Sequence, residues 1–249
     1  MRKIIERAIF RHAEASYPRE SCGLMIVVKG KEQYFPCTNT AVGSEHFIIS
    51  PEDFANAEDK GEVVAVVHSH PDTSADPSEA DKVSCEASGL PWHIVSVHLE
   101  NGVPVAQELK TFNPAGYEAP LIGREFFHGV LDCYTLIRDW YRIEQGIHLP
   151  DFQRSDDWWN DGSSDLYTEG FPKAGFERMP HGTEPERGDV ILMQIRSQNG
   201  VPNHAAIYLG DGLILHHLHG RLSSRDIYGG YWQEVTRHIL RYKNDESGT

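Results

Sequence analysis

The chain has 249 residues, a hydrophobic fraction of 39% and a formal net charge of −14 at pH 7. That length allows one large domain or two ordinary ones, and the composition is that of a globular protein. The acidic balance excludes recognition of nucleic acid or an anionic membrane surface by simple electrostatics, and four cysteines are too few for a disulfide scaffold.

Arg2 and Lys3 are followed by Glu6, Arg7, Arg11 and Glu14, so the N-terminus lacks the apolar core of a signal peptide. Ile4, Ile5, Ala8, Ile9 and Ala13 instead mark one face of an amphipathic helix. No run is apolar enough to span a bilayer. Cys22, Cys37, Cys85 and Cys133 show no paired spacing, so the chain reads as cytoplasmic, with reduced thiols and no export route of its own. Gly23–Val28 and Gln33–Cys37 are predicted to form a hairpin across Lys29-Gly30-Lys31. Glu45–Ile49 is predicted as a short strand. Ser50-Pro51-Glu52-Asp53 predicts a helix start, with Ser50 as N-cap and Asp53 closing a capping box, and the helix ends before Gly61.

Val63–Val67 is short and rich in β-branched residues, which predicts a buried strand. Side chains alternate along a strand, so His68 and His70 project from the same side at its end. Pro71 and the polar stretch to Pro77 are expected to break the strand. Ser78 then starts a helix with Asp81 in its first turn. Two imidazoles and a carboxylate can thus converge, and three protein ligands with one open position is the pattern of a catalytic zinc site. Taken singly, the pieces have bland readings. His-x-His suits a strand end, Ser78-x-x-Asp81 suits a capping box, and Glu20 alone suits a solvated surface. Their co-occurrence, with Pro71 after the second histidine, favours the metal.

Glu20 before Gly23-Leu24, His68-Ser69-His70-Pro71 and Ser78-x-x-Asp81 together resemble the motif of the JAMM metalloproteases, also called the MPN-plus or Mov34 family. The likeness covers most of residues 1–110. It implies zinc held by His68, His70 and Asp81, Glu20 as the general base for the attacking water, and Ser78 as an oxyanion partner. Zinc lowers the pKa of its water to ~7, and a nearby carboxylate completes the activation. Trp92–Leu99 alternates as a further strand, so this half mixes strands with covering helices. The periodicity then fades from Asn101 to Gly123, punctuated by Asn113-Pro114-Ala115-Gly116 and Pro120. The expected domains are residues 1–114 and 115–249.

In the second half Asp132 is a good N-cap, followed by an apolar face of Leu136, Ile137, Trp140 and Tyr141. Asp151–Gly175 embeds Trp158, Trp159, Tyr167 and Phe171, aromatics expected to plug a small core rather than grip a ligand. Strands are predicted at Val190–Ile195, after Gly188-Asp189, at Asn203–Leu209 and at Leu213–His217. Gly210-Asp211-Gly212 turns the last pair into a hairpin. Lys243–Thr249 is a polar, frayed end. Cys133 sits one residue inside a helix start, where free backbone N–H groups and the helix dipole favour a thiolate. His204 and His216 lie on the two hairpin strands, side by side, one to take the thiol proton and one to hold its tautomer. Alone, Cys133 would read as a small buried hydrophobe and His204 as a strand-end residue.

Asp132-Cys133 at a helix start, Gly188-Asp189 before a strand, His204-Ala-Ala-Ile-Tyr-Leu-Gly210 and a later histidine resemble the NlpC/P60 cysteine peptidases over most of residues 120–240. The resemblance implies Cys133 as nucleophile, His204 as general base and His216 as the third residue, with His217 and His219 as rivals for that place. Tyr134-Thr135 stands where the family often has Ser-Gly, a departure that bears on the substrate groove. The implied fold class is α/β (α+β): a JAMM-type mixed sheet flanked by helices, then a papain-like domain whose antiparallel sheet packs on the cysteine helix. The implied substrates of the second domain are peptidoglycan stem peptides near γ-D-glutamyl and diamino-acid units. The fusion of the two domains resembles the tail tip assembly proteins of lambda-like phages. It implies work in the host cytoplasm, association with the virion tail tip, tail tip proteins as partners, and no nucleic-acid or membrane partner. Two alternatives stay open: a cellular endopeptidase acting on cell-wall peptides, and a structural tail adaptor whose peptidase domains only bind.

Overall fold

Isoleucines four apart set the first element. In the computed structural model, which describes residues 1–43 and 46–243, α1 (Lys3–Ser16) buries Ile5, Ile9 and Ala13. Ile4 and Ala8, expected on the same face, are exposed, because they lie to the flank of the line through residues 5, 9 and 13. The chain divides into two units, Met1–Glu118 and Ala119–Thr249.

The first unit is built on a mixed five-stranded sheet of order β2-β1-β3-β4-β5. β1 (Cys22–Val28) and β2 (Lys31–Cys37) form the expected hairpin. Its turn residues Lys29 and Gly30 both have positive φ, as a two-residue turn matched to strand twist requires. β3 (Glu62–Pro71) runs antiparallel to β1 and parallel to β4 (Trp92–Glu100). Pro71 ends β3, as expected. It stays in register with Val97, and the next free N–H, that of Asp72, meets the Val97 carbonyl at 2.8 Å. β5 (Val103–Phe112) falls where the sequence reading finds no periodicity. It returns antiparallel through Asn101-Gly102, a hairpin signal that went unread.

α2 (Pro51–Lys60) is capped by Ser50, whose Oγ accepts from the Asp53 amide at 3.0 Å. The expected reciprocal box is not made. The Asp53 carboxylate instead accepts from the Thr38 amide at 2.9 Å, tying α2 to the end of β2. Of the expected strand at 45–49, Glu45 lies outside the described residues, and Ile49 makes an isolated bridge to Asn39. α3 (Glu79–Ser88) completes the unit. Met25, Ala65, Val67 and Val95 pack under α1, while Leu24, Ile26, Val66, Cys85 and Trp92 fill a second cluster, so alternate residues serve opposite faces.

In the second unit α4 (Cys133–Trp140) continues into a π-helical turn at Tyr141–Gln145. Six antiparallel strands follow in the order β10-β9-β8-β7-β11-β6. They are β6 (Phe176–Arg178), β7 (Val190–Met193), β8 (His204–Gly210), β9 (Leu213–His216), β10 (Ser224–Ile227) and β11 (Thr236–Tyr242). α5 (Leu166–Lys173) precedes the sheet and α6 (Tyr231–Val235) precedes β11. Leu136, Ile137 and Trp140 of α4 share one core with Val190, Leu192, Ala205, Ile207 and Leu215. Trp158, Tyr167 and Phe171 join it, so the aromatic stretch does plug a core. Residues 244–249 of the expected polar tail lie outside the described residues.

Gly23 fixes how closely β1 lies under its neighbour. A Cβ there would sit 2.6 Å from Tyr34 Oη and 2.7 Å from the Phe35 carbonyl. Gly23→Ala should therefore cost about 1–3 kcal/mol, read in urea unfolding of the full chain. A loss below ~0.5 kcal/mol would show that β2 gives way freely.

Candidate active sites

β3 delivers two imidazoles and α3 one carboxylate. The Nε2 atoms of His68 and His70 lie 3.1 Å apart. Asp81 Oδ1 is 3.1 Å from His68 Nε2, and Oδ2 is 3.2 Å from His70 Nε2. These spacings approach the ~3.3 Å edge of a tetrahedron with bonds of ~2.0–2.1 Å, and two imidazoles with a carboxylate suit zinc. Among the described residues this is the only group of three or more potential ligands with donor atoms within 4.8 Å of one another.

The donors are held from behind. Ser78 Oγ accepts from the Asp81 amide at 3.1 Å, and Asp81 Oδ2 accepts from the Ser78 amide at 2.8 Å and from Ser78 Oγ at 2.7 Å. The capping box is therefore complete, and the same carboxylate faces both histidines. Ser78 Oγ gives its proton to Asp81, so in this arrangement it orients that carboxylate. His70 Nδ1 meets the Ser74 carbonyl at 2.9 Å, which assigns its proton to Nδ1 and leaves Nε2 free to ligate. His68 stacks on Phe47 and stands edge-on to Trp92. Its buried Nδ1 has no hydrogen-bond partner among the described residues.

Glu20 reaches the site through strand pairing. Cys22 is in register with His68, and the Ser21 amide donates to Ser69 Oγ at 2.8 Å. Burial pushes the Glu20 carboxyl up to about 8, with His70 pulling it down and Asp81 pushing it further up. Burial works against charge on Asp81 too, but His68, His70 and Ser78 outweigh it and hold that carboxyl well below the usual range. Burial lowers His68, so its ring is neutral and ready to ligate. It also works against His70, where hydrogen bonds to Asp81 and Ser74 prevail and leave the ring above its ordinary value.

In the second unit Asp132 caps α4, with Oδ1 accepting from the Thr135 amide at 2.9 Å. Cys133 follows directly. His204 Nε2 lies 3.1 Å from His216 Nδ1, and His216 Nε2 lies 3.1 Å from Asp226 Oδ2 on β10. His216 thus touches His204 as expected. Of its rivals, His217 is buried beside Phe126 and His219 is exposed. Among the described residues no hydrogen bond joins Cys133 to His204. The thiol instead meets Tyr167 Oη of α5 at 3.0 Å. Burial and then Asp132 push it up to about 11, against partial relief from Tyr167 and the Ala205 amide. The low thiol expected at a helix start is therefore not found, because loss of solvent outweighs the helix terminus. Burial also drives His204 well below its ordinary value, so the resting pair is a thiol and a neutral imidazole.

Sequence reasoning missed Asp226, Tyr167 and Ser74. Tyr167 stood in an aromatic run already singled out, whereas nothing in Ser224–Ile227 marks a strand or a site.

Glu20 yields a pH prediction. Its folded value lies above the ordinary 4.5, so its ionisation erodes stability as pH rises from about 4.5 to about 8. Metal-free Glu20→Gln should exceed metal-free wild type by ~1–3 kcal/mol at pH 8 and match it near pH 4. Urea unfolding across that range would contradict this placement if the difference were constant.

Two family models match the chain: prokaryotic homologs of the JAB domain over residues 2–110, and the NlpC/P60 family over residues 123–241. Tail tip assembly protein K of Escherichia phage N15 is 45% identical over 246 residues, 98% of this chain and 96% of its own. Tail tip assembly protein K of Escherichia phage lambda is 42% identical over 198 residues, 78% of this chain and 89% of its own. The crystal structure of a JAB1/MPN domain protein from Archaeoglobus fulgidus is 23% identical and covers 47% of this chain and 90% of its own. Its TM-score is 0.29, which carries no argument. With near-complete coverage by the N15 protein, this chain belongs to the tail tip assembly protein K family, a JAB-type region followed by an NlpC/P60-type region.

Proposed function

We propose that the protein acts in phage tail tip assembly and carries two hydrolytic sites. One is a zinc-dependent peptidase or isopeptidase and the other a cysteine endopeptidase for peptidoglycan stem peptides. The observation that carries this reading is that Asp81 of α3 meets His68 and His70 of β3, while in the other unit Cys133 opens α4 and His204, His216 and Asp226 form one polar series. The names of the relatives support the assembly role and tail tip proteins as partners. The host cytoplasm and the virion tail tip are its proposed places of action. Residues 1–114 and 115–249 would be the two separately folding domains, one for each site.

His68, His70 and Asp81 would hold zinc, which when bound supplies Lewis acidity and lowers the pKa of a water to ~7. Glu20 takes the proton of the attacking water and returns it to the leaving amine. Ser78 keeps Asp81 in place and, if it turns, can donate to the oxyanion. In the second site the Cys133 sulfur attacks the scissile carbonyl carbon while its proton passes to His204. His204 then protonates the departing amine, and water hydrolyses the thioester. His216, backed by Asp226, holds the His204 tautomer through Nε2, leaving Nδ1 for the thiol proton. Burial pushes the thiol up and His204 down, so the resting pair is uncharged and the thiol proton has to leave for the sulfur to attack.

A structural adaptor that only binds is the second reading. It is favoured by the thiol being 5% exposed and held by Tyr167. Purified protein incubated with zinc, muropeptides and tail proteins separates the two, with products read by mass spectrometry. Wild type should hold about one zinc. His68→Ala should lose it. Glu20→Gln should keep the metal and lose about 100-fold or more in hydrolysis at that site. Cys133→Ala should stop stem-peptide cleavage with zinc content unchanged. Muropeptides and tail proteins left intact by wild type would establish the adaptor instead.

A further inference from the structure

Asp132 presents a problem that its capping role does not explain. Its charge stands one residue from the thiol and opposes a thiolate. A neutral asparagine could still accept from the Thr135 amide and so cap α4, although its NH2 would lose the Gly129 amide that Oδ2 takes at 3.0 Å. Yet the site keeps the carboxylate and answers it with Arg154, whose Nε donates to Asp132 Oδ2 at 2.6 Å with both side chains buried. The rest of the guanidinium is fully used. Nη2 donates to the Gly129 carbonyl at 3.0 Å and to Thr135 Oγ1 at 3.2 Å, and Nη1 donates to Asp151 Oδ1 at 2.9 Å and to the Phe152 carbonyl at 2.6 Å. The rings of Tyr134 and Phe152 lie 5.0 and 5.5 Å from its centre. A buried ion pair is a weak source of stability, because desolvation offsets much of the attraction. Its place at the residue that precedes Cys133 is therefore the feature to explain.

We propose that Arg154 is a positioning residue for the cysteine chemistry, cancelling the charge of the N-cap Asp132 so that His204 can take the proton of the buried Cys133. The inference rests on the reading of Cys133 as nucleophile. Besides Asp132 and Arg154, Tyr167 from α5 and the Ala205 amide of β8 act on the thiol, while His128 and His217 act on Asp132. None of these others brings a fixed positive charge. The opposite signs with which Asp132 and Arg154 act on the thiol agree with the proposal.

The test is the pH profile of iodoacetamide alkylation at Cys133, mapped by mass spectrometry in the full chain. Arg154→Gln should move the inflection to higher pH and slow alkylation at pH 8 about tenfold. Asp132→Asn, which keeps the acceptor for the Thr135 amide, should move it to lower pH and speed alkylation by a similar factor. The double variant should return close to wild type. A double variant as slow as Arg154→Gln would show that Arg154 only packs. An unchanged profile in Asp132→Asn overturns the proposal even if Arg154→Gln fails to fold. If the profiles shift as expected while stem peptides stay uncut, the peptidase reading fails and the electrostatic assignment stands.

Discussion

A carboxylate that caps a helix is fixed in direction by the backbone it satisfies, and both sites hang on such a carboxylate. Asp81 closes the box with Ser78 and in the same pose meets His68 and His70. Asp132 caps α4 and so sets where Cys133 stands. In each case the sheet supplies the other partners: His68 and His70 from the end of β3, His204 and His216 from adjacent strands β8 and β9. A shift of either helix start by one residue would turn the carboxylate away from its partners, since successive helical residues are ~100° apart.

Burial gives the two sites opposite problems. Around His68 and Asp81 it is balanced by short contacts among the donors, so the carboxylate stays ionised and His68 neutral, the forms a cation needs. Around Cys133 no such balance exists in the resting state, and the thiol is pushed up to about 11. The first site is organised before any ligand arrives. In the proposed chemistry the second depends on His204 accepting a proton during attack, which would make it sensitive to charges near the thiol.

Much of this was legible where a short period carries the information. His68 and His70 are two apart on a strand, and Ser78 and Asp81 three apart at a helix start, so their convergence follows from backbone geometry. His204 and His216 were legible because Gly210-Asp211-Gly212 folds one strand onto the next. Asp226 was not, because it comes from a four-residue strand without apolar alternation. Tyr167 was visible only as one aromatic among several, since its contact to Cys133 spans packing rather than spacing. β5 was missed although Asn101-Gly102 announces it, and Asp53 was misplaced because a tertiary donor, the Thr38 amide, outcompeted the local one. Local signals located the chemistry, while long-range contacts decided which neighbours complete it.

One carboxylate, that of Asp81, caps α3 and is proposed to complete a metal site. X-ray absorption at the zinc edge of the zinc-loaded protein tests it most directly. The expected first shell is nitrogen and oxygen at ~2.0–2.2 Å, two of the ligands showing imidazole scattering, with the carboxylate contribution lost in Asp81→Ala. Sulfur at ~2.3 Å, or a shell unchanged by Asp81→Ala, would place the metal elsewhere and contradict it.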